Sequence, residues 1–215
     1  MTNGSVYTHV DVFRSFTNVQ DDKPKTRNHK SEIIINQKSK MKRGIRNNNP
    51  LNIRRTNTEW QGMKEEVTDK EFVEFTSTAY GYRAAWRILF NYFYRFLSMK
   101  TPFTVSTIID RWAPPTENPT KAYIDRVLEL TGLGGNERLY PPLNPRGVWK
   151  LSSILAAMTV VECGIRPEKV DMEAIKQGYT LAFGEPYPNE GDTVPAKENV
   201  VWDEYWDWSP MAYGK

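Results

Sequence analysis

A chain of 215 residues with 29 basic and 26 acidic side chains, net charge +3, suits one ordinary domain with tails and is too weakly basic for charge alone to indicate nucleic acid. A single cysteine, Cys163, excludes an internal disulfide and a thiolate metal cluster, and the two histidines, His9 and His29, lie in a polar leader, which excludes a His-based triad or His-rich metal site in the fold. Seven Trp and eleven Tyr supply a core, while no apolar run approaches a membrane span and no signal-peptide core is present.

Residues 1–42 read as a flexible basic leader. Its charge gathers in Lys23-Pro-Lys25-Thr-Arg27-Asn-His-Lys30 and Lys38-Ser-Lys40-Met-Lys42-Arg43, runs that are more often solvated arms than binding patches. Val10, Val12, Phe13 and Phe16 suggest a short docking segment and Ile33 to Ile35 a short strand. Met41 stands just before the first densely patterned segment and is an alternative start.

Next comes Arg43-Gly-Ile-Arg-Asn-Asn-Asn-Pro-Leu-Asn-Ile-Arg54, an ordered polar loop, because asparagines favour side-chain to backbone turns and Pro50 blocks a helix. Trp60-Gln-Gly62 leads into residues 65–67, a turn at 68–70, and the run Glu71-Phe-Val-Glu-Phe75. Its partial alternation predicts a small antiparallel hairpin.

After Thr78 the apolar period becomes helical. Ala84, Ala85, Ile88, Leu89, Tyr92, Phe93 and Phe96 mark a long amphipathic helix that ends between Ser98 and Pro102. Thr104 caps a short helix from Val105 to Trp112, which the run Ala113-Pro-Pro-Thr-Glu-Asn-Pro119 breaks. Asn118 and Pro119 open another helix through Tyr123, Val127 and Leu128 to Gly132. A Gly- and Pro-rich loop then leads to a helix carrying Leu151, Ile154, Leu155, Met158 and Val161 on one face.

Glu162 extends that apolar stripe in the helix's last turn, before Gly164 and Pro167 end it. Desolvation and the negative end of the helix dipole both disfavour its charged form, so its pKa is expected to rise, as a general acid requires. The plain alternative is a helix-terminal Glu turned out to water. Asp171 caps a last helix to Phe183. Residues 185–215 read as an acidic, aromatic tail containing Trp202-Asp-Glu-Tyr-Trp-Asp-Trp208, packing on the domain or on a partner.

Helices, a small hairpin, an asparagine loop and an acidic residue ending a buried helix together resemble the lysozyme-like fold of peptidoglycan glycosidases. More closely, the asparagine loop, Trp60-Gln-Gly62, Asp69, Phe72, Phe75, Gly81-Tyr-Arg-Ala84 and Arg111-Trp-Ala-Pro-Pro-Thr-Glu-Asn118 with Tyr123 resemble phage and prophage virion-associated lytic enzymes. The fold class expected is therefore mainly α (α+β), a lysozyme-like helical domain over residues 43–184 with one hairpin. The hairpin precedes the Glu helix, the reverse of ordinary lysozymes, as a circular permutation would give. Members of that group usually read Glu-Asn-Gly where this chain has Glu162-Cys163-Gly164, so a polar neighbour of the acid is lost.

The resemblance implies cleavage of the β-1,4 bond between N-acetylmuramic acid and N-acetylglucosamine, with Glu162 the first candidate for catalytic acid and Glu117 the second. A second carboxylate, where one is used, falls among Glu65, Glu66, Asp69, Glu71 and Glu74, with Asp69 first. Lytic transglycosylases need only one acid, so hydrolysis and transglycosylation are both open. Asn47, Asn49, Asn52 and Asn118 offer amides for sugar hydroxyl and N-acetyl groups. Tyr80, Trp112 and Tyr123 offer platforms for a sugar ring, and Arg46 or Arg54 a cation for muramyl or stem-peptide carboxylates.

No metal or organic cofactor is implied. The partners expected are peptidoglycan and, through leader or tail, other virion proteins, with neither nucleic acid nor a membrane span. The expected location is the phage virion or the host cytoplasm before release. The competing readings are a non-catalytic virion protein that keeps the fold, a nucleic-acid binder acting through the leader, and a peptidase. Cys163 lacks a base for peptide cleavage.

Overall fold

The computed structural model describes residues 41–189. The expectations for the leader up to residue 40, for residues 190–215 and for partners held through either lie outside them.

The described chain is mainly α. A single helical turn, α1 (Arg43–Arg46), opens it, followed by α2 (Thr78–Ser98), α3 (Val105–Trp112), α4 (Thr120–Thr131), α5 (Pro145–Cys163), a 3-10 turn (Pro167–Lys169) and α6 (Met172–Phe183). Local chemistry sets the boundaries. Thr104 and Thr107 form a reciprocal capping box on α3. The Asn144 and Asp171 side chains cap α5 and α6, and glycines in the left-handed region end α4, α5 and α6. The helix expected to open at Asn118 begins at Thr120, because the Asn118 amide turns back to the Pro114 carbonyl and the Thr120 hydroxyl bonds that of Ala113.

Helix α5 is the axis of the core. Eleven of its nineteen residues are buried, so it is apolar nearly all round and must be enclosed by other elements. Helix α4 packs on one side of it and α6 on another, while α2 makes its broadest contact with α6. That contact is close because Gly178 leaves room for Tyr82 and the backbone of α2. Trp86, wholly buried, donates its indole N–H to the Ile175 carbonyl and meets Tyr179 edge-on.

The hairpin expected between residues 65–67 and 71–75 does not form. Residues 65–67 are exposed, and the second run pairs elsewhere: Val73 donates to Ile53, Arg55 to Glu71, and Lys64 to Glu74 through their backbones. Among the described residues these amount to isolated antiparallel bridges, Arg54 with Phe72 and Met63 with Phe75. Two forces decide this. Val73 and Phe75 are almost wholly buried and draw their run against the core. The Glu74 carboxylate accepts from the Thr68 and Asp69 backbone N–H groups and the Thr68 hydroxyl, so a side chain closes the turn that a second strand was expected to close.

Residues 185–189, the start of the expected tail, lie on the helices: the Tyr187 hydroxyl bonds Ser152 and the Trp149 indole donates to the Pro188 carbonyl.

Candidate functional site

The four loop asparagines divide between two tasks. Asn49, 1% exposed, donates to the carbonyls of Ile53 and Val73 and accepts from the Ile53 N–H. Asn47, equally buried, donates to Asp69 Oδ2 at 2.8 Å, and Asn48 bonds the Phe75 carbonyl and the Thr78 hydroxyl. Those three amides are spent on the loop itself. Asn47 and Asn49 therefore have no face to offer a sugar, and their expected substrate role gives way to a structural one.

Asn52 alone reaches across to the end of α5. Its amide Nδ2 donates to Glu162 Oε2 at 2.9 Å and approaches the Glu162 carbonyl at 3.3 Å. From the other side the Tyr123 hydroxyl donates to Glu162 Oε1 at 3.0 Å, and the Trp112 side chain supplies a further hydrogen bond. Three segments distant in sequence thus converge on one half-buried carboxyl. Burial pushes the Glu162 carboxyl above its ordinary value, and the bonds from Asn52, Tyr123 and Trp112 only partly offset it. The expected direction of shift is present.

Neighbouring contacts fix this helix end. Cys163 points inward and donates its thiol to the Pro50 carbonyl, tying the last turn of α5 to the asparagine loop. Gly44 makes that approach possible, since a Cβ there would lie 2.8 Å from the Cys163 sulfur. Burial, then the charge of Glu162, raises the Cys163 thiol to about 11, so it carries no nucleophilic thiolate near neutral pH.

The remaining candidates are placed elsewhere. Glu117 and Asn118 are exposed in the turn at 114–118, and the Asn118 amide bonds the Pro114 carbonyl, not the Glu162 group. Asp69, 9% exposed, accepts from Asn47 and from the N–H groups of Glu71 and Phe72, with Arg43 beside it. Burial opposes its ionisation, yet those bonds and that charge prevail and hold its pKa below the ordinary value. Glu71 pairs with Arg43, Glu74 is buried on the turn, and Glu65 and Glu66 are exposed. No second carboxyl among them joins Glu162. The Tyr80 ring, from the first turn of α2, lies against Gly62, where a Cβ would meet it, so it packs on the turn after Trp60. Arg46 faces Asp69 at 4.0 Å, and Arg54 is exposed over the Phe72 ring, which Arg43 also flanks.

The residue types identified Tyr123 and Trp112 as ring platforms and missed them as hydrogen-bond donors to the carboxyl. Nothing local signals that use, since it depends on how α3, α4 and α5 meet. Among the described residues no group of three or more His, Cys, Asp and Glu converges as metal ligands would, and no helix is long and apolar enough to cross a membrane. A depression of about 970 Å³ lies between α5 and α6, lined by Trp149, Ser152, Met172, Lys176, Leu181 and Tyr187, and includes none of the Glu162 group.

No family model matches the chain. It is 35% identical over 144 residues to Protein P5 of Pseudoalteromonas phage PM2, a match covering 66% of this chain and 82% of the phage protein. At that identity, over most of the phage protein's length, the chain belongs to the family of Protein P5 of phage PM2.

Proposed function

We propose that this protein cleaves the glycan strands of peptidoglycan at the β-1,4 bond between N-acetylmuramic acid and N-acetylglucosamine, with Glu162 as the general acid. The observation that carries the reading is the half-buried carboxyl ending α5, raised in pKa and held by Asn52 and Tyr123. Membership of a phage protein family fits an agent that meets the bacterial wall. The fold proposed is lysozyme-like in permuted order, the asparagine loop and its bridges preceding the helix that bears the acid.

In this mechanism Glu162 gives its proton to the glycosidic oxygen as the C1–O bond breaks, leaving N-acetylglucosamine with a new hydroxyl. An oxygen nucleophile then bonds C1 and returns its proton to Glu162. What favours the muramyl sugar's own 6-hydroxyl over water is the engagement of the other carboxylates. Asp69 and Glu74 are committed to the turn and Glu71 to Arg43, so none of the three is free to activate a water beside Glu162. The product is then a 1,6-anhydro end, and the activity a lytic transglycosylase. Exposed Arg54 offers a cation to muramyl or stem-peptide carboxylates.

The test is solubilisation of purified peptidoglycan by wild type and by Glu162→Gln of equal melting behaviour. The expected result is turbidity loss with wild type and none with the variant. Equal clearing by both removes Glu162 as the acid, and clearing by neither supports a non-catalytic phage protein.

A further inference from the structure

We propose that Asn52 is the positioning residue of this site, its amide donor fixing the Glu162 carboxyl in orientation and favouring its ionised form. This rests on the reading of Glu162 as the acid.

The geometry is specific. Asn52 sits at φ 48°, in the left-handed region that costs an ordinary side chain energy and that glycine takes freely. Its backbone N–H closes a turn onto the Asn49 carbonyl, and Asn49 is itself locked to Ile53 and Val73. Asparagine tolerates this region better than most side chains, so the turn accounts for its backbone and the contact with Glu162 for the direction of its amide. That amide spends its donors on the Glu162 carboxylate and carbonyl.

Its other atom, Oδ1, is buried and has no hydrogen-bond partner. An ionised carboxylate needs donors, and Asn52, Tyr123 and Trp112 supply them. A protonated carboxyl carries an O–H that the Tyr123 hydroxyl can accept, so the amide donor of Asn52 matters most to the ionised form. Among the described residues the titratable groups that act with the carboxyl are Tyr123 of α4 and Cys163 of α5, while the Lys42 ammonium lies beyond them, near Gly164. Burial raises both Tyr123 and Cys163, which remain neutral where a carboxyl titrates.

The experiment uses the full chain and Asn52→Gly, which keeps the backbone and removes the amide, on soluble uncrosslinked glycan strands. The result expected is a cooperative melt showing a folded protein, kcat lower by about tenfold or more, and KM within about twofold of wild type. The alkaline limb of the pH profile moves upward, because a donor to the ionised form is lost. A raised KM with unchanged kcat and an unmoved limb makes Asn52 a sugar contact and overturns the proposal. Independently of turnover, titration of the Glu162 carboxyl followed by carbon-13 NMR moves upward in Asn52→Gly, and an unmoved titration overturns it. Wild-type turnover by Glu162→Gln instead removes the acid assignment, and the carboxyl titration then decides the Asn52 contact alone.

Discussion

The Tyr123 hydroxyl donates to Glu162 Oε1 at 3.0 Å, joining the first turn of α4 to the last turn of α5 across 39 positions of sequence. Tyr123 is 8% exposed, and burial followed by the adjacent Glu162 charge pushes its own ionisation well above the ordinary range. It therefore stays a neutral donor throughout the range in which Glu162 titrates.

Removing that donor in Tyr123→Phe withdraws a bond that favours ionised Glu162. The Glu162 pKa rises further, and the loss of activity on the alkaline side moves to higher pH. Loss of one bond to a charged group costs about 1–3 kcal/mol of stability. Denaturant unfolding and a pH series of peptidoglycan solubilisation check the two effects.

Glu162→Gln trades function for stability. The folded-state pKa lies above the ordinary 4.5, so folded protein holds the proton over a window in which unfolded chain has released it. The stabilising contribution of Glu162 is thus complete below the unfolded value and is lost as pH rises through the folded one. Relative to wild type, Glu162→Gln is expected to melt higher at pH 7 to 8, with the difference shrinking towards pH 4. Thermal melts at the two pH values read this directly.

The Asn47–Asp69 pair acts in the opposite sense. Burial works against Asp69 and Glu74, but hydrogen bonds and nearby cations lower both below their ordinary 3.8 and 4.5. Their contribution is present above those values and is lost as pH falls through the depressed ones, so acid unfolding starts at this turn. Asn47→Ala and Asp69→Ala each cost about 1–3 kcal/mol, because each leaves a buried partner unpaired. The double variant costs less than the two added, as a double-mutant cycle in urea shows.

Gly81→Ala tests how α2 is seated on the asparagine loop. A Cβ there would lie 2.2 Å from the Asn48 carbonyl oxygen and 2.9 Å from Pro50 Cδ, and backbone cannot yield as a flexible side chain does. The expected cost is about 1–3 kcal/mol, measured as a lower urea midpoint with the slope unchanged.

The long helices were legible from their apolar periods and local stops, whereas the helical turn α1 lay inside what reads as a polar loop. Thr104 and Asp171 cap, Gly132, Gly164 and Gly184 stop, and the apolar stripe of α5 leaves little choice but burial. Glu162 was legible for the same reason, as a carboxyl where the stripe calls for an apolar group. The hairpin was not: alternation in residues 71–75 says that a strand-like run needs partners, and not that Ile53, Arg55 and Lys64 supply them. Asparagine's preference for turns located the loop but did not divide its amides. Asn47 and Asn49 bind inward because Asp69 and Val73 come to them from more than twenty residues away, and Asn52 binds outward because α5 ends beside it.

The most direct measurement is mass analysis of glycan fragments released from purified peptidoglycan by wild type, Glu162→Gln and Glu117→Gln. The account predicts 1,6-anhydro-muramyl ends from wild type and from Glu117→Gln, whose carboxyl stands in an exposed turn, and no glycan products from Glu162→Gln. Anhydro ends released at wild-type yield by Glu162→Gln, or intact glycan with cut peptides from wild type, would contradict it.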